Sequence, residues 1–266
     1  MTALRLTPSF LLGGRRAGLL IERNLYVYRR TWLVLVSGFF EPLFYLLGIG
    51  FGLGALVGAV TGPNGQEIPY QLFVAPALLA SSSMNGAISE STFNVFFKLN
   101  YQKTYDAILS TPMSVGDVAL GEIAWALIRG GLYAIGFLVV MVLLGLVASP
   151  WLILAFPAAL LVGFAFAAVG MAATSFMRTW QDFDLIQLVI LPLFLFSATF
   201  YPLETYPEAL RTVVQVTPLY QGVALIRGLA VGAIEPVLLV HAAYLFLMGI
   251  FGLWVTSRRL SKLLLK

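Results

Sequence analysis

The feature that most restricts this chain is a series of long, almost uncharged apolar stretches recurring from residue 32 to residue 257. A helix crossing a bilayer needs about 20 mostly apolar residues, because the hydrocarbon core is roughly 30 Å thick and each residue rises about 1.5 Å. Six stretches meet or approach that length: 32–60, 70–93, 117–147, 151–176, 184–201 and 236–257. Only 11% of the 266 residues are charged and 60% are hydrophobic, so a water-soluble globule of this chain could not cover itself with polar groups. The expectation is an all-α polytopic membrane protein with six transmembrane helices, forming one membrane domain over 1–266. The first apolar run lacks the small-residue cleavage pattern of a removable signal.

Six crossings put both termini on one side. Grouping 1–31, 94–116, 177–183 and 258–266 on that side gathers 13 of the 16 Lys and Arg residues, leaving Arg211 and Arg227 opposite and Arg129 inside a span. By the positive-inside bias both termini are expected in the cytoplasm. In the arm 1–31, Arg16, Arg23 and Arg30 recur every two helical turns, with Leu20, Leu25 and Tyr28 as apolar cover. That pattern fits an amphipathic helix lying on the inner leaflet, or a basic flank that only sets orientation.

The stretch FFKLNYQKTYDAILSTPMSVGDVALGEIAW, residues 96–125, interrupts the apolar run. Phe97, Tyr101, Tyr105 and Ile108 fall at i, i+4, i+8 and i+11, one helical stripe, while Lys103 and Asp106 lie elsewhere on the wheel. Thr111-Pro112 ends the pattern, and Ser114-x-x-Asp117 has the spacing of a capping box that starts span three. The loop 94–116 is therefore expected to hold a short helix parallel to the membrane, its stripe either docked in a soluble partner or sealing the inner leaflet. After span five, prolines at 202, 207 and 218 and Gly232 cut the chain into two short helices, one opening at Pro207-Glu208 and one over 219–231. Neither is long enough to span, so 202–232 is expected to form a re-entrant hairpin on the outer side, packed against protein or a watery cavity.

Several chemistries are excluded. There is no cysteine, so no disulfide and no thiolate metal site, and the single histidine, His241, cannot build a multi-histidine centre. No G-x-x-x-x-G-K-[ST] occurs, and the dinucleotide-like GFGLGA at 50–55 lies within an apolar run. Its neighbours Gly48, Gly50, Gly52, Gly54 and Gly58 are spaced for close helix packing. No catalytic residue, metal, bound cofactor or nucleic-acid partner is expected, and His241 is read as a hydrogen-bonded structural residue. Ionisable groups within spans are costly and need partners or a task. Glu90 and Glu122, near the cytoplasmic boundary, are expected either to pair across helices or to snorkel to the interface. Arg129 and Glu41 are read either as a pair or as the lining of a path, to which Phe44, Tyr45, Phe200 and Tyr201 are the aromatic candidates.

The 96–125 segment, with EPLFYLLGIGFGLG (41–54) and FSATFYPLETYPEALRTVVQVTPLYQGVALIRGL (196–229), resembles the membrane subunit of ABC-2-type exporters. Within that group it is similar to the lipo-oligosaccharide or nodulation-factor export permeases, through Lys103, Thr104, Ala107, Leu109, Thr111 and Pro112. The resemblance covers essentially the whole order of features. It implies a half-transporter in the bacterial plasma membrane, pairing with a second copy or a related permease and with two cytoplasmic ABC ATPase subunits that bind ATP and Mg. It also implies that Phe97, Tyr101, Lys103, Tyr105, Asp106 and Ile108 form the ATPase-coupling surface, with the N-terminal arm as a second contact. Spans one and five and the hairpin would line the path. The implied cargo is a lipid-linked or amphipathic saccharide, with hydrophobic drugs or another lipid as the alternative. An ion-coupled carrier would show related halves with broken helices in both; no such repeat is visible.

Overall fold

A computed structural model describes residues 16–29, 40 and 42–264 of the protein. The described elements are α1 (Ala17–Arg29), α2 (Pro42–Val57), a small antiparallel β-ribbon of β1 (Ala59–Thr61) and β2 (Glu67–Pro69), and α3 (Tyr70–Tyr101). There follow α4 (Thr104–Leu109), α5 (Val115–Leu143), α6 (Pro150–Thr174), α7 (Asp182–Leu195), α8 (Glu208–Val216), α9 (Pro218–Val231) and α10 (Val237–Leu264).

Four of these helices, α3, α5, α6 and α10, have 32, 29, 25 and 28 residues and are apolar enough to cross a membrane. At about 1.5 Å per residue each exceeds the roughly 30 Å hydrocarbon layer. The protein is an integral membrane protein built of helices. The apolar run 32–60 is described from Pro42 onward, as the 16 residues of α2. The expected span 184–201 is helical only over Asp182–Leu195, 14 residues, or about 21 Å. The helix stops at Phe196, and Ala198 then takes a left-handed φ of 52° that rules out a continued helix.

Helix α6 is the hub, packing against α3, α5, α9 and α10. Its small residues allow this: a Cβ built on Gly252 of α10 would lie 2.7 Å from the backbone of Ala168 and Val169 on α6. One on Gly249 would lie 2.2 Å from the Phe164 ring. Close approach through small residues is how membrane helices associate when water supplies no driving force between them. The glycines picked out by spacing in α2 behave otherwise: Cβ atoms on Gly48 and Gly52 would meet nothing within 4 Å. Helix α3 carries apolar and small residues all round and is buried along most of its length, as a central helix must be.

The local signals in the sequence are realised in detail. Ser114 and Asp117 form the capping box of α5, Ser114 Oγ accepting from the Asp117 amide at 3.1 Å and Asp117 Oδ2 accepting from the Ser114 amide at 2.8 Å. Helix α8 begins at Glu208 after Pro207, Thr217 is extended before Pro218, and Gly232 caps α9 with φ 85°.

Candidate functional site

The loop between α3 and α5 differs from the single amphipathic helix expected over 96–110. Helix α3 continues through wider π-type turns at Glu90–Asn94 and Phe97–Tyr101 and stops at Gln102. Lys103 then adopts φ 52°, and the short α4 sets off in a new direction. Phe97 and Tyr101 therefore belong to the end of α3, and the stripe that was to join them to Tyr105 and Ile108 does not exist.

Exposure follows the break. Tyr101 is 62% exposed and Phe97 38%, whereas Tyr105 is 0% exposed. Lys103 and Asp106 are exposed and Ile108 is half-buried. Tyr105 cannot present its ring to a docking partner as the spacing implied; it is a core residue of this end of the molecule. Burial, with Glu122 adding negative charge nearby, pushes its phenol well above the ordinary tyrosine range. The exposed rings sit on an aromatic cluster: Phe93 stacks on Phe183 at 4.1 Å, Trp180 lies 4.9 Å from Phe183, and Phe97 lies 5.2 Å from Trp180. Trp180, from the link before α7, and Phe183, from its first turn, had no sequence signal joining them to this loop.

One buried and one partly buried ion pair tie this region to the body. Lys98 Nζ meets both carboxylate oxygens of Glu122, at 2.7 and 2.9 Å, with side chains 7% and 2% exposed. It also approaches Asn24 Oδ1 of α1 at 3.4 Å. The second pair joins Arg129 to Glu90, with Arg129 Nε donating to Tyr133 Oη at 2.8 Å and Nη1 to Tyr28 Oη at 3.3 Å. Glu90 and Glu122 thus pair across helices, the first of the two expectations. The carboxylate of Arg129 is that of Glu90; Glu41, the partner first considered, lies outside the described residues. Burial, reinforced by the Glu90 charge, pushes the Tyr28 phenol up to about 12.

Helix α1 is clamped onto the same region. The Arg16 guanidinium donates to the Pro112 carbonyl, the Arg16 amide donates to Asp117 Oδ1 at 3.2 Å, and Leu20 is buried over Gly121, where a Cβ would come within 2.8 Å of it. Leu20 and Tyr28 face the protein, while Leu25 is exposed. Of the basic row, Arg16 is engaged at the loop, and Arg30 lies outside the described residues.

The remaining path candidates are partly brought together. Tyr45, Arg129 and Tyr133 line one polar cleft of about 130 Å³ with Ser81, Ser82 and Asn85 of α3. That serine and asparagine run, SSSMN at 81–85, was the signal overlooked in the sequence: five residues with four polar side chains inside an apolar span. Tyr45 also contacts Phe194 at 5.6 Å, and Phe194 contacts Phe200 at 5.1 Å, so a row of rings runs from the cleft to the turn after α7. Phe44 points away and is exposed. Tyr201 lies 5.3 Å from Tyr206, outside that row.

A hub of small-residue helices, a polar loop clamped by an N-terminal helix, and a proline-bounded helix pair after a short apolar helix together define one arrangement. The family model described as ABC-2 type transporter matches residues 16–231, from the arm to the end of α9. The chain belongs to the ABC-2 type transporter family. Curated relatives agree. Nodulation protein J of Rhizobium leguminosarum bv. trifolii is 34% identical over 213 residues, 79% of each chain. That of Rhizobium meliloti (strain 1021) is 33% identical over 214 residues, 80% of each. That of Neorhizobium galegae is 29% identical over 247 residues, 89% of this chain and 92% of the relative. This ABC-2 protein is accordingly the transmembrane permease subunit of an ABC exporter, of a family that works with an ABC ATPase.

Proposed function

We propose that this ABC-2 permease moves a lipid-linked or amphipathic saccharide outward across a bacterial inner membrane, driven by ATP hydrolysis in two separate cytoplasmic ABC ATPase subunits. The observation that carries the reading is the kinship with Nodulation protein J along about four fifths of both chains, together with a solvent-facing aromatic and charged surface where an ATPase would push. Both termini are assigned to the cytoplasm and six crossings to the chain, with α2 and α7 completing crossings one and five and α8–α9 forming the re-entrant hairpin. The excess of basic residues at the α4 end supports that orientation.

The ATPase-facing surface consists of Phe97, Tyr101, Lys103 and Asp106, extended by Trp180 and backed by Tyr105 and Ile108. The Lys98–Glu122 pair and the Arg16 clamp join that surface to α5 and α1, so force delivered there reaches three helices at once. A second permease, identical or related, is proposed to pack on α2, where Phe44, Leu47 and Phe51 are exposed and Gly48 and Gly52 are open to close approach. The cleft at Tyr45, Arg129 and Asn85 would then face the path between the two permeases. An apolar groove of about 730 Å³ between α6, α7 and α10 has the character an acyl chain requires.

The test is reconstitution. The chain should copurify with an ABC ATPase whose hydrolysis is stimulated by a lipo-oligosaccharide, and vesicles holding both should move that lipid only with ATP. Transport by the permease alone, or stimulation by hydrophobic drugs and not by glycolipids, would remove the assignment.

A further inference from the structure

At the end of the molecule opposite α4 lies an open cavity of about 470 Å³, lined by the β1 turn, the start of α3, the segment 198–204, α9 and the start of α10. Its size lies within the range of about 300–1,000 Å³ typical of small-molecule sites. Three observations specify what it can hold.

The first is Arg227 of α9, 6% exposed, whose Nε donates to the Phe73 carbonyl at 3.0 Å and whose Nη2 donates to the Ala198 carbonyl at 2.7 Å. Its guanidinium lies 3.7 Å from the centre of the Phe73 ring. Its partners are neutral, and Nη1 has no protein acceptor among the described residues, although Arg227 lines the cavity. One directional donor is left for a guest.

The second is the Gln221–His241 pair. Gln221 Nε2 donates to the Gln215 carbonyl at 2.5 Å, so the amide oxygen is the atom 2.5 Å from His241 Nδ1. A carbonyl oxygen only accepts; Nδ1 must therefore carry the proton, which leaves His241 Nε2 as a free acceptor on a residue that lines the cavity. The third is the pair of exposed carboxylates, Glu204 and Glu235, on the same lining, with Tyr220 presenting its ring beside His241 at 6.2 Å.

A donor, a neutral acceptor, two carboxylates and an aromatic ring do not suit an anion, which Glu204 and Glu235 would repel, nor an apolar drug, which would strand every polar group. They suit a guest whose groups each donate and accept, namely hydroxyls on a ring. We propose that this cavity binds a neutral sugar unit of the cargo at the outer mouth of the permease. The inference rests on the saccharide-export reading and adds to it a site within one permease, away from the cleft at Arg129.

The experiment uses the full permease with its ATPase in lipid nanodiscs, probed with an array of lipid-free neutral and acidic oligosaccharides and then by titration with the strongest neutral binder. Neutral oligosaccharides should bind, and His241→Ala and Glu235→Gln should each weaken the titrated Kd by about three- to tenfold, the loss of one hydrogen bond. Glu235 is exposed, so its variant folds whether or not His241 has a packing role. Absence of binding, preference for acidic glycans, or an unchanged Kd in both variants overturns the proposal. Stimulation of ATP hydrolysis by a lipo-oligosaccharide is read on the same preparation. Stimulation without binding of the lipid-free sugar sinks the cavity and spares the export reading; binding without stimulation sinks the export reading and spares the cavity.

Discussion

Replacing Lys98 with Met leaves Glu122 buried, its carboxylate stripped of the ammonium that now sits 2.7 Å away. Both side chains are almost fully enclosed, so solvent cannot take over the role of the missing partner. Breaking a buried pair from one side costs about 3–5 kcal/mol, because an uncompensated charge remains inside. At the low end that is a factor of about 100 in the unfolding equilibrium, since each 1.4 kcal/mol is tenfold. Glu122→Met should cost a similar amount by stranding the ammonium. The double variant Lys98→Met, Glu122→Met removes both charges and keeps the volume; such replacements are close to neutral. The cycle should therefore show a coupling of about 6 kcal/mol or more, above the range of about 0.5–3 kcal/mol usual for contacting residues. Unfolding of the purified permease by graded detergent denaturation, followed through buried Trp125 on the same helix as Glu122, measures all four corners. Single losses below about 1 kcal/mol, or a double variant as unstable as the sum of the singles, would refute the claim that this pair holds the end of α3 to α5.

Other expectations follow from the same geometry. Tyr101→Ala should leave stability unchanged while weakening ATPase binding. Tyr105→Ala, at a fully buried ring, should cost about 3–5 kcal/mol of stability; pull-down and thermal denaturation of the two variants separate docking from packing. Arg129→Glu sets a carboxylate against Glu90 and should reduce assembly, and the exchange with Glu90→Arg should restore folded yield in detergent. Gly252→Leu should destabilise the α6–α10 crossing by at least about 1–3 kcal/mol through overpacking. Gly48→Leu should fold normally as a single chain yet fail to crosslink to a second permease.

What could be read from the sequence depended on whether the signal was local. The capping box at Ser114 and Asp117, the proline boundaries of α8 and α9, and the αL cap at Gly232 are each decided by a few adjacent residues, and all three were legible. The four long apolar helices follow from composition and length alone. The end of α3 was misread because periodicity cannot register a single left-handed residue: Phe97, Tyr101, Tyr105 and Ile108 keep helical spacing across a break at Lys103. The partner of Arg129 depends on which helices neighbour α5, a tertiary fact, so Glu90 could not be preferred over Glu41 from spacing. The cavity at Arg227 was invisible for the same reason, since its walls come from five separate segments. The role of Trp180 was hidden too, by the distance in sequence between the α6–α7 link and the α3–α4 break.

Helix α3 runs unbroken from Tyr70 to Tyr101, a rod of about 48 Å. One tip bears the exposed rings of Phe97 and Tyr101; near the other, the Phe73 carbonyl accepts from the Arg227 guanidinium at the cavity proposed to take a sugar. A shove along its axis would arrive some tens of ångströms away as tension on Arg227. If the α4 end is driven as proposed, the π-type turns between Glu90 and Tyr101 lie between the push and the cavity, and their stiffness would govern how much of each stroke passes along α3.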